Sequence, residues 1–451
     1  AILLAARGGG RRGALPLGVP AMDTVISQIH TLSTKNDSDL RKLKDFLRHE
    51  QESLKANALQ IDQALHMLDP TQNTMGVAYL LAAQMSAAAC TNQAATLTYV
   101  GNFLELADEH QVKKASAPIS AVCKSYAQMA IDEGQKAMLR SLQPLRCAVE
   151  KLRPNVETLT PVHAEFLRVC LKAKAYHLAG QVLDQPIFDT SLSNNSCAMM
   201  TPQSFLCYFY YGALIRIGMK QYAQALRLLL VVLTCPASCL SAIQADAYKK
   251  YVLVSLKVHG ELQTLPIYAS EIVQRFAKSP SYVLEIVDAF KQGDPVALRR
   301  LMEEKAQQIQ ADSNVGLAKQ VVASLQRHKV QTLTKTYLTL SLGEIGREVG
   351  MEGGTAEVEE LLFDMISEGE INARIDQTTG NVSFEEEEGE MDIAMVGKMQ
   401  ETLSQIMGLA QRVAAFEQEV VSSDAYVRKT AALERGAAGV PALGDYDFMT
   451  M

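Results

Sequence analysis

The chain has 451 residues and a formal net charge of −7, so no global positive field would draw in nucleic acid. Hydrophobic residues make up 48% of the chain, enough for a large core, but no apolar run reaches the roughly 18 residues that a membrane span requires. Trp is absent and aromatic residues amount to 6%, while the abundance of Leu, Ala, Gln, Met, Glu and Lys favours helix over strand.

The first 21 residues are rich in Arg and contain no acidic residue. Their apolar part, residues 1–6, is too short for the hydrophobic region of a signal peptide. A transit peptide and a disordered or non-native leader both fit this composition, and we favour the second. Helical patterning begins near Met22.

From Met22 to about Gln310 the sequence predicts a series of helices separated by regular stops. The predicted stops are glycines, which accept the left-handed backbone just past a helix end: Gly134, Gly180, Gly218, Gly260 and Gly293. Stops at intervals of roughly 35 to 45 residues are typical of helix pairs stacked into an α-solenoid. We therefore predict N-terminal helical repeats over 22–200 and further repeats over 201–330.

Two helix starts are also evident, because Thr160-Pro161 and Thr201-Pro202 each place a capping residue before a proline. Downstream, Tyr222 and Ala225 occupy the second helix of a pair. That arrangement resembles a degenerate tetratricopeptide unit, in which the small alanine lets the two helices approach.

The pattern changes over 331–384, where we predict a winged helix. After a helix ending near Val330, the run TKTYLTL is rich in β-branched residues and predicts a short strand. Two helices follow, and the second has a buried stripe of Val358, Leu361, Leu362, Met365 and Ile366. A hairpin then alternates apolar residues around the turn DQTTG: Ile371, Ala373 and Ile375 before it, and Val382 and Phe384 after it.

An acidic linker, EEEEGE, separates the hairpin from a last predicted helix over 391–421. Apolar residues step along that helix by threes and fours, with Glu417 interrupting the row: Val396, Met399, Leu403, Ile406, Ala410, Val413 and Val420. The row would suit packing on the helix's own domain or a bundle with helices of other chains, and we favour the bundle. Residues 431–451 are rich in Ala, Gly and Pro, and we predict a disordered tail.

No pattern of catalytic, cofactor-binding or metal-binding residues is present. The eight His residues are never closer than His163 and His177, which excludes both H-E-x-x-H and the H-x-H pair of zinc isopeptidases. Phosphate-binding glycine loops and nucleophile elbows are absent as well. The eight cysteines have no C-x-x-C spacing, and we interpret them as buried, reduced side chains: Cys90, Cys123, Cys147, Cys170, Cys197, Cys207, Cys235 and Cys239. We therefore predict that the chain is not an enzyme.

The winged helix also lacks the charges of a nucleic-acid reader. The helix that would enter a major groove, over 355–369, contains no Lys or Arg, and it carries Glu357, Glu359, Glu360, Asp364 and Glu368. Such a surface repels phosphates, so we predict no direct binding to nucleic acid.

A solenoid that leads into a winged helix resembles the PCI-domain family. The residues extend the resemblance, because several segments are similar to subunits of the COP-nine signalosome: FLCYFYYGALIRIGMKQYAQAL, DAYKKYVLVSLKVHGELQTLPIYASEIVQRF, NVGLAKQVVASL, VQTLTKTYLTLSLGEIG and MISEGEINARIDQTTGNVSF. The resemblance is dense from Phe205 to Phe384, thinner from Met22 to Met200, and does not reach 1–21 or the last twenty or so residues.

This resemblance implies a mainly α scaffold subunit without cofactors, in a complex that removes a ubiquitin-like modifier from the cullins of cullin-RING ligases. It implies that the catalytic zinc lies in another subunit, that the first and eighth subunits are neighbours, and that the complex is found in nucleus and cytoplasm. It further implies edge-to-edge contacts between winged helices, which we assign to Ile371, Ala373, Ile375, Val382 and Phe384. It also implies a bundle of C-terminal helices, here through Val396, Met399, Leu403, Ile406, Val413 and Val420.

Two other interpretations stay open at the level of sequence. A paralogous scaffold subunit of the proteasome regulatory lid would have the same architecture. An unrelated solenoid adaptor or nucleic-acid binder would share only the helical repeats.

Overall fold

A computed structural model describes residues 22–33, 36–56, 60–87, 93–190, 200–351, 354–384 and 393–436. The predicted leader, the acidic linker and residues 437–451 lie outside the described residues. The predicted mainly α fold is confirmed, because within the described ranges the chain forms helices and three short strands. It divides into two compact units, Ala1–Lys335 with Gly343–Leu361, and Thr336–Leu342 with Leu362–Met451.

The helices of the repeat region follow one another with short connections. Up to residue 190, they are α1 (Met22–Leu32), α2 (Asp37–His49), α3 (Gln51–Ala56), α4 (Ile61–Met67), α5 (Thr74–Ser86), α6 (Gln93–Leu106), α7 (Glu109–Lys114), α8 (Ser116–Glu133), α9 (Gln135–Leu152), α10 (Pro161–Ala173) and α11 (Tyr176–Leu183). After it come α12 (Pro202–Gly218), α13 (Tyr222–Thr234), α14 (Ala242–His259), α15 (Glu271–Ala277), α16 (Tyr282–Gln292), α17 (Pro295–Glu304), α18 (Ala306–Ala311) and α19 (Val315–Thr336).

Both predicted Thr-Pro starts are confirmed. Thr160 and Thr201 are the N-caps of α10 and α12, and each is followed by Pro at the first helical position. The Thr201 hydroxyl accepts the backbone N–H of Ser204 at 3.1 Å, which satisfies one of the amides left without a partner at a helix start.

Four of the five predicted glycine stops are correct. Gly134, Gly260 and Gly293 follow α8, α14 and α16 with φ of +112°, +72° and +75°, and Gly218 is the last residue of α12. The fifth prediction is wrong, because Gly180 lies inside α11. The stop expected at Gly180 falls instead at Lys174, which adopts the left-handed conformation after α10.

Two hydrophobic cores run through the repeat region and meet at α12. Tyr208 and Ile215 of this helix belong to the N-terminal core, while Leu206 and Ala213 belong to the next one. Each helix packs on its neighbours along the chain, as α10 does on α8, α9 and α12, and α13 on α12 and α14. This nearest-neighbour packing is that of the predicted solenoid. Ala225 is fully buried on α13, the environment required by its predicted role as a small contact residue.

The winged-helix elements appear in the predicted order, with one change of boundary. Since α19 continues to Thr336, the strand predicted in TKTYLTL is reduced to β1 (Thr339–Ser341). Then come α20 (Leu342–Val349), α21 (Thr355–Ser367), β2 (Ala373–Asp376) and β3 (Asn381–Phe384). The predicted stripe on α21 is confirmed, because Val358, Leu362 and Met365 are buried, and Leu361 and Ile366 are half-buried.

Two helices complete the second unit. The predicted C-terminal helix is α22 (Ile393–Ser422), which is followed after one residue by α23 (Asp424–Gly436). The prediction of disorder from residue 431 is wrong for the first part of that segment, since α23 continues to Gly436. Its run of Ala, Leu, Glu and Arg has high helix propensity, which the Ala- and Gly-rich composition of the whole tail concealed.

Candidate subunit interface

The three strands form a small antiparallel sheet with one apolar and one polar face. The order is β1-β3-β2, with Leu340 opposite Val382 and Val382 opposite Ile375. Because partners across a ladder point to the same face, these three side chains share a face with Ala373 and Phe384. Thr339, Ser383, Arg374, Asn381 and Asp376 lie on the other face and are exposed.

The five hairpin residues predicted to form a winged-helix edge all have inward or partly inward side chains. Ile371, Val382 and Phe384 are buried, and Ala373 and Ile375 are half-buried. Their apolar alternation therefore turns these side chains away from solvent. Any contact with another chain at this place would use backbone groups rather than these side chains.

The position of β3 corrects part of the edge prediction. Val382 and Phe384 lie on the central strand, whose backbone is paired with β1 on one side and with β2 on the other. They cannot supply a free edge, because a central strand has both rows of hydrogen-bonding groups occupied. The sequence predicted a strand in TKTYLTL but did not show that this strand pairs with the second strand of the hairpin.

The hydrogen-bond pattern identifies which backbone groups β2 turns outward. The Phe384 N–H donates to the Leu338 carbonyl oxygen at 2.8 Å, so the amide of Phe384 points towards β1. Alternation along an antiparallel ladder then turns Ser383 towards β2, where Arg374 is its partner. By the same alternation, the N–H and C=O groups of Ala373 and Ile375 point away from the sheet. We call these outward backbone groups of Ala373 and Ile375 the β2 edge.

A tight turn holds the end of the hairpin in place. The Asp376 carboxylate accepts the Thr378 N–H at 2.9 Å, the Thr378 hydroxyl at 2.6 Å and the Thr379 hydroxyl at 2.8 Å. These hydroxyl bonds lower the pKa of Asp376 to about 2, so the carboxylate stays charged at neutral pH. Gly380 completes the turn with φ of +69°, a conformation that favours glycine.

The exposed surface of α21 is acidic. Glu357, Glu360 and Asp364 are exposed on this helix, and no Lys or Arg lies along it. In a winged helix that reads DNA, the corresponding surface needs basic side chains to replace phosphate counterions. The described α21 therefore lacks the basic side chains that such a nucleic-acid contact requires.

The predicted bundle face of α22 is uncovered over its whole length. Every one of the six residues assigned to it is exposed: Val396, Met399, Leu403, Ile406, Val413 and Val420. Their exposed fractions run from 44% for Val396 to 65% for Val413, far above those of a buried helix face. An uncovered apolar face of this extent is typical of a surface that another protein covers.

Sequence reasoning missed several exposed apolar residues near these surfaces. Met407, Leu409, Phe416 and Val421 widen the apolar face of α22 beyond the predicted row. They stand beside that row in the sequence, so a count over all seven heptad positions would have found them. On α21, Phe363 is 66% exposed and lies next to the buried Leu362, outside the predicted stripe.

No group of three or more His, Cys, Asp or Glu side chains in the described ranges is arranged to hold a metal ion. Of the described helices, none is both long and apolar enough to cross a membrane. The expectation of buried cysteines is met by Cys123 and Cys170, where burial raises the thiol pKa to about 12. It is met only in part by Cys147, Cys207 and Cys235, which are half-buried, and it is wrong for Cys239, which is exposed. Cys90 and Cys197 lie outside the described residues.

The fold and these surfaces define the class of protein to which the chain belongs. A family model described as PCI domain matches residues 298–386, which run from within α17 to just past β3. A second model, described as COP9 signalosome complex subunit 3, N-terminal helical repeats, matches residues 37–273. Together they match a helical-repeat region followed by a PCI domain, and α22 and α23 lie beyond the matched residues.

Comparison with curated proteins is more specific. The chain is 32% identical over 415 residues to COP9 signalosome complex subunit 3 of Arabidopsis thaliana, covering 91% of this chain and 94% of the relative. It is 31% identical over 414 residues to the protein of the same name from Dictyostelium discoideum, covering 91% of this chain and 96% of the relative. The chain belongs to the family of COP9 signalosome complex subunit 3.

Proposed function

We propose that this chain is a non-catalytic scaffold subunit of the COP9 signalosome and that it assembles with other subunits through the β2 edge and α22. The observation that carries the proposal is the uncovered apolar face of α22. A helix of 30 residues is about 45 Å long. Membership of the subunit 3 family supports the choice of this complex.

The spacing of the exposed apolar residues along α22 supports a helix bundle. The steps from Val396 to Met399 and from Met399 to Leu403 are three and four residues, an alternation that continues to Val420. This average of 3.5 residues keeps one apolar seam facing a partner helix that winds around it. Burial of such side chains contributes about 25 cal/mol per Å² of apolar surface, so covering the row strongly favours association.

The outward backbone groups of β2 support an edge contact. Outward N–H and C=O groups on an edge strand pair readily with a strand of another chain. The side chains of Ala373 and Ile375 face inward or partly inward, so their backbone is accessible without disturbing the apolar face of the sheet. A neighbouring winged helix is the partner that we propose for this edge.

The proposed activity of the assembled complex is removal of the ubiquitin-like modifier from cullins of cullin-RING ligases. In this scheme the catalytic zinc belongs to another subunit, the first and eighth subunits are the neighbours of this chain, and cullin ligases are met through the complex. We propose a location in both nucleus and cytoplasm, which imaging of a fluorescently tagged chain would check.

Tagged purification followed by mass spectrometry tests the choice of complex. We expect the full-length chain to co-purify with signalosome subunits and with cullins. Recovery of proteasome regulatory subunits in their place would replace this proposal with the paralogous lid scaffold. Recovery of neither set, from cells that express both complexes, would leave only an unrelated solenoid adaptor.

Two proline substitutions test the β2 edge. Ala373→Pro removes an N–H that points away from the sheet, which an edge strand tolerates, so the isolated chain should keep its stability while co-purification of a neighbouring subunit falls. Arg374→Pro removes an N–H that points towards β3, so it should destabilise the hairpin itself. Circular dichroism checks that Ala373→Pro is folded like the unmodified chain. If this folded variant also assembles like the unmodified chain, the proposed edge contact is wrong.

A further inference from the structure

The exposed row on α22 has a regular heptad register. Counting Val396 as position a places Leu403, Ala410 and Glu417 at the following a positions. The d positions are then occupied as follows: Met399, Ile406, Val413 and Val420. All of these positions are apolar except that of Glu417.

The flanking positions of the heptad also lack charge. The e positions are Gln400, Met407, Ala414 and Val421, and the g positions from residue 396 onward are Thr402, Leu409 and Phe416. In a two-stranded coiled coil these positions normally carry charged residues that pair across the seam. Here the other charged residues of the helix between 396 and 421 lie at positions c and f: Lys398, Glu401, Arg412 and Glu419.

Glu417 is therefore the one charge on a face that is otherwise uncharged from 396 to 421. Its neighbours on the same side of the helix, three and four residues away, are Val413, Ala414, Val420 and Val421. The helix thus offers no cation within the usual reach of an intrahelical pair. Within the part of the chain that the structure describes, Glu417 makes no ion pair.

We propose that Glu417 selects and aligns a bundle partner by pairing with a Lys or Arg side chain of a neighbouring helix. This inference rests on the proposed function, since it requires that α22 enters a bundle. A carboxylate taken out of water without a partner is strongly disfavoured, whereas one that meets a cation is tolerated. Only the register that brings a cation opposite Glu417 satisfies both the charge and the apolar layers of Val413 and Val420.

The chemistry of the partner follows from this geometry. The partner is a helix with apolar residues at heptad spacing and one basic residue in the layer of Glu417. A single polar group inside an apolar seam is a known means of fixing the register and the choice of partner of a coiled coil. Partner helices that are apolar throughout would bury Glu417 unpaired and are rejected.

A competition experiment with the full chain tests the inference. Unmodified and variant chains with different tags are co-expressed with the remaining signalosome subunits, and their ratio in the purified holocomplex is measured by mass spectrometry. We expect Glu417→Lys to lower incorporation on the order of tenfold, because it sets like charges against each other in the seam. Glu417→Gln, which keeps size and polarity, should lower incorporation by a smaller factor.

The matched control is Glu419→Lys, which makes the same charge reversal at a c position two residues away, and it should incorporate like the unmodified chain. Equal incorporation of Glu417→Lys and Glu419→Lys would overturn the inference, and so would a Glu417→Gln chain that incorporates as well as the unmodified chain or better. Leu403→Asp distinguishes this outcome from failure of the proposed function. If Leu403→Asp also incorporates normally, α22 is not in a bundle at all, whereas its exclusion together with normal Glu417 variants removes only the ion pair.

Discussion

The repeat unit and α22 contain the same kind of apolar helix face in opposite environments. On α13, Ala225, Leu229, Val232 and Leu233 are fully buried between neighbouring helices of the same chain. On α22, residues of the same type and a similar spacing are half to two-thirds exposed. Apolar periodicity therefore predicts that a helix face will be buried. It does not indicate whether the helices that bury it belong to the same chain or to another chain.

The largest expected effect comes from placing the same charge on each face. Leu229→Asp introduces a carboxylate into a fully buried site, and we expect it to cost about 4 kcal/mol or more of unfolding free energy in the isolated chain, or to prevent folding. Leu403→Asp makes the identical change at a site that is 61% exposed, so it should alter that free energy by less than about 0.5 kcal/mol. Urea unfolding followed by circular dichroism measures both.

A large loss of stability for Leu403→Asp in the isolated chain would contradict the difference in burial between α13 and α22. It would mean that the chain covers its own α22 face, and the bundle would no longer be needed to explain the apolar row.

A smaller effect on the free energy of unfolding is expected from a buried histidine in the repeat region. His163 is buried at the start of α10, where its Nδ1 accepts the Thr160 N–H at 3.1 Å and its ring meets that of Tyr208 edge-on. Burial lowers the pKa of His163 to about 4, against a smaller opposing effect of the Thr160 carbonyl oxygen, which lies 3.3 Å from Nδ1 and would accept a proton held there.

The sign of the pH dependence follows from that lowered pKa. Between the usual histidine value of about 6.5 and the folded value of about 4, the unfolded chain binds more protons than the folded chain. The stabilising contribution is therefore present above pH 6.5 and is lost as the pH falls towards 4. We expect the free energy of unfolding to drop by about 2 kcal/mol between pH 7 and pH 5 through this residue.

His163→Gln is the matched control, because Gln at this position of a capping box can still accept the Thr160 N–H but does not titrate in this range. Urea midpoints at pH 7 and pH 5 should differ less for this variant than for the unmodified chain. Equal pH dependence of the unmodified chain and His163→Gln would contradict the role of His163.

The smallest expected effects on stability come from Ala substitutions at two glycines of the repeat region. Gly260→Ala forces a side chain into a left-handed position after α14 and should cost about 1 kcal/mol of unfolding free energy. Gly180→Ala, inside α11, would place its Cβ 3.5 Å from Met219, an ordinary contact, and should stabilise by about 0.5–1 kcal/mol. Thermal unfolding measures both, and a loss of stability for Gly180→Ala would contradict the interior position of that glycine.

Much of this architecture could be predicted from local signals. The Thr-Pro starts, the stripe on α21, the hairpin around DQTTG and the long α22 helix all depend on residues close together in the chain. Helix stops were predicted less well, because Lys174 ends α10 in a conformation that glycine usually adopts. Glycine position alone could not show that the left-handed residue was a lysine and that Gly180 belongs to the next helix.

The candidate interface was predicted only in part. The alternation of Ile371, Ala373 and Ile375 located the hairpin, but not the third strand that pairs with its far side. Because β1 pairs with β3, Val382 and Phe384 lie on the central strand of the sheet. Backbone groups that point away from the sheet therefore occur only on the outer strands β1 and β2. The central position of Val382 depends on its pairing with Leu340, more than forty positions earlier in the chain, which no local pattern encodes.

Local sequence patterns are enough to predict a helical-repeat chain followed by a winged helix and an apolar C-terminal helix, because periodicity and capping depend on residues within a few turns of each other. Only the folded chain shows which of the apolar faces are already covered and that the β2 edge remains free. Those properties depend on strands and helices that meet from distant parts of the chain, and they separate the residues that hold the subunit together from those available to its partners.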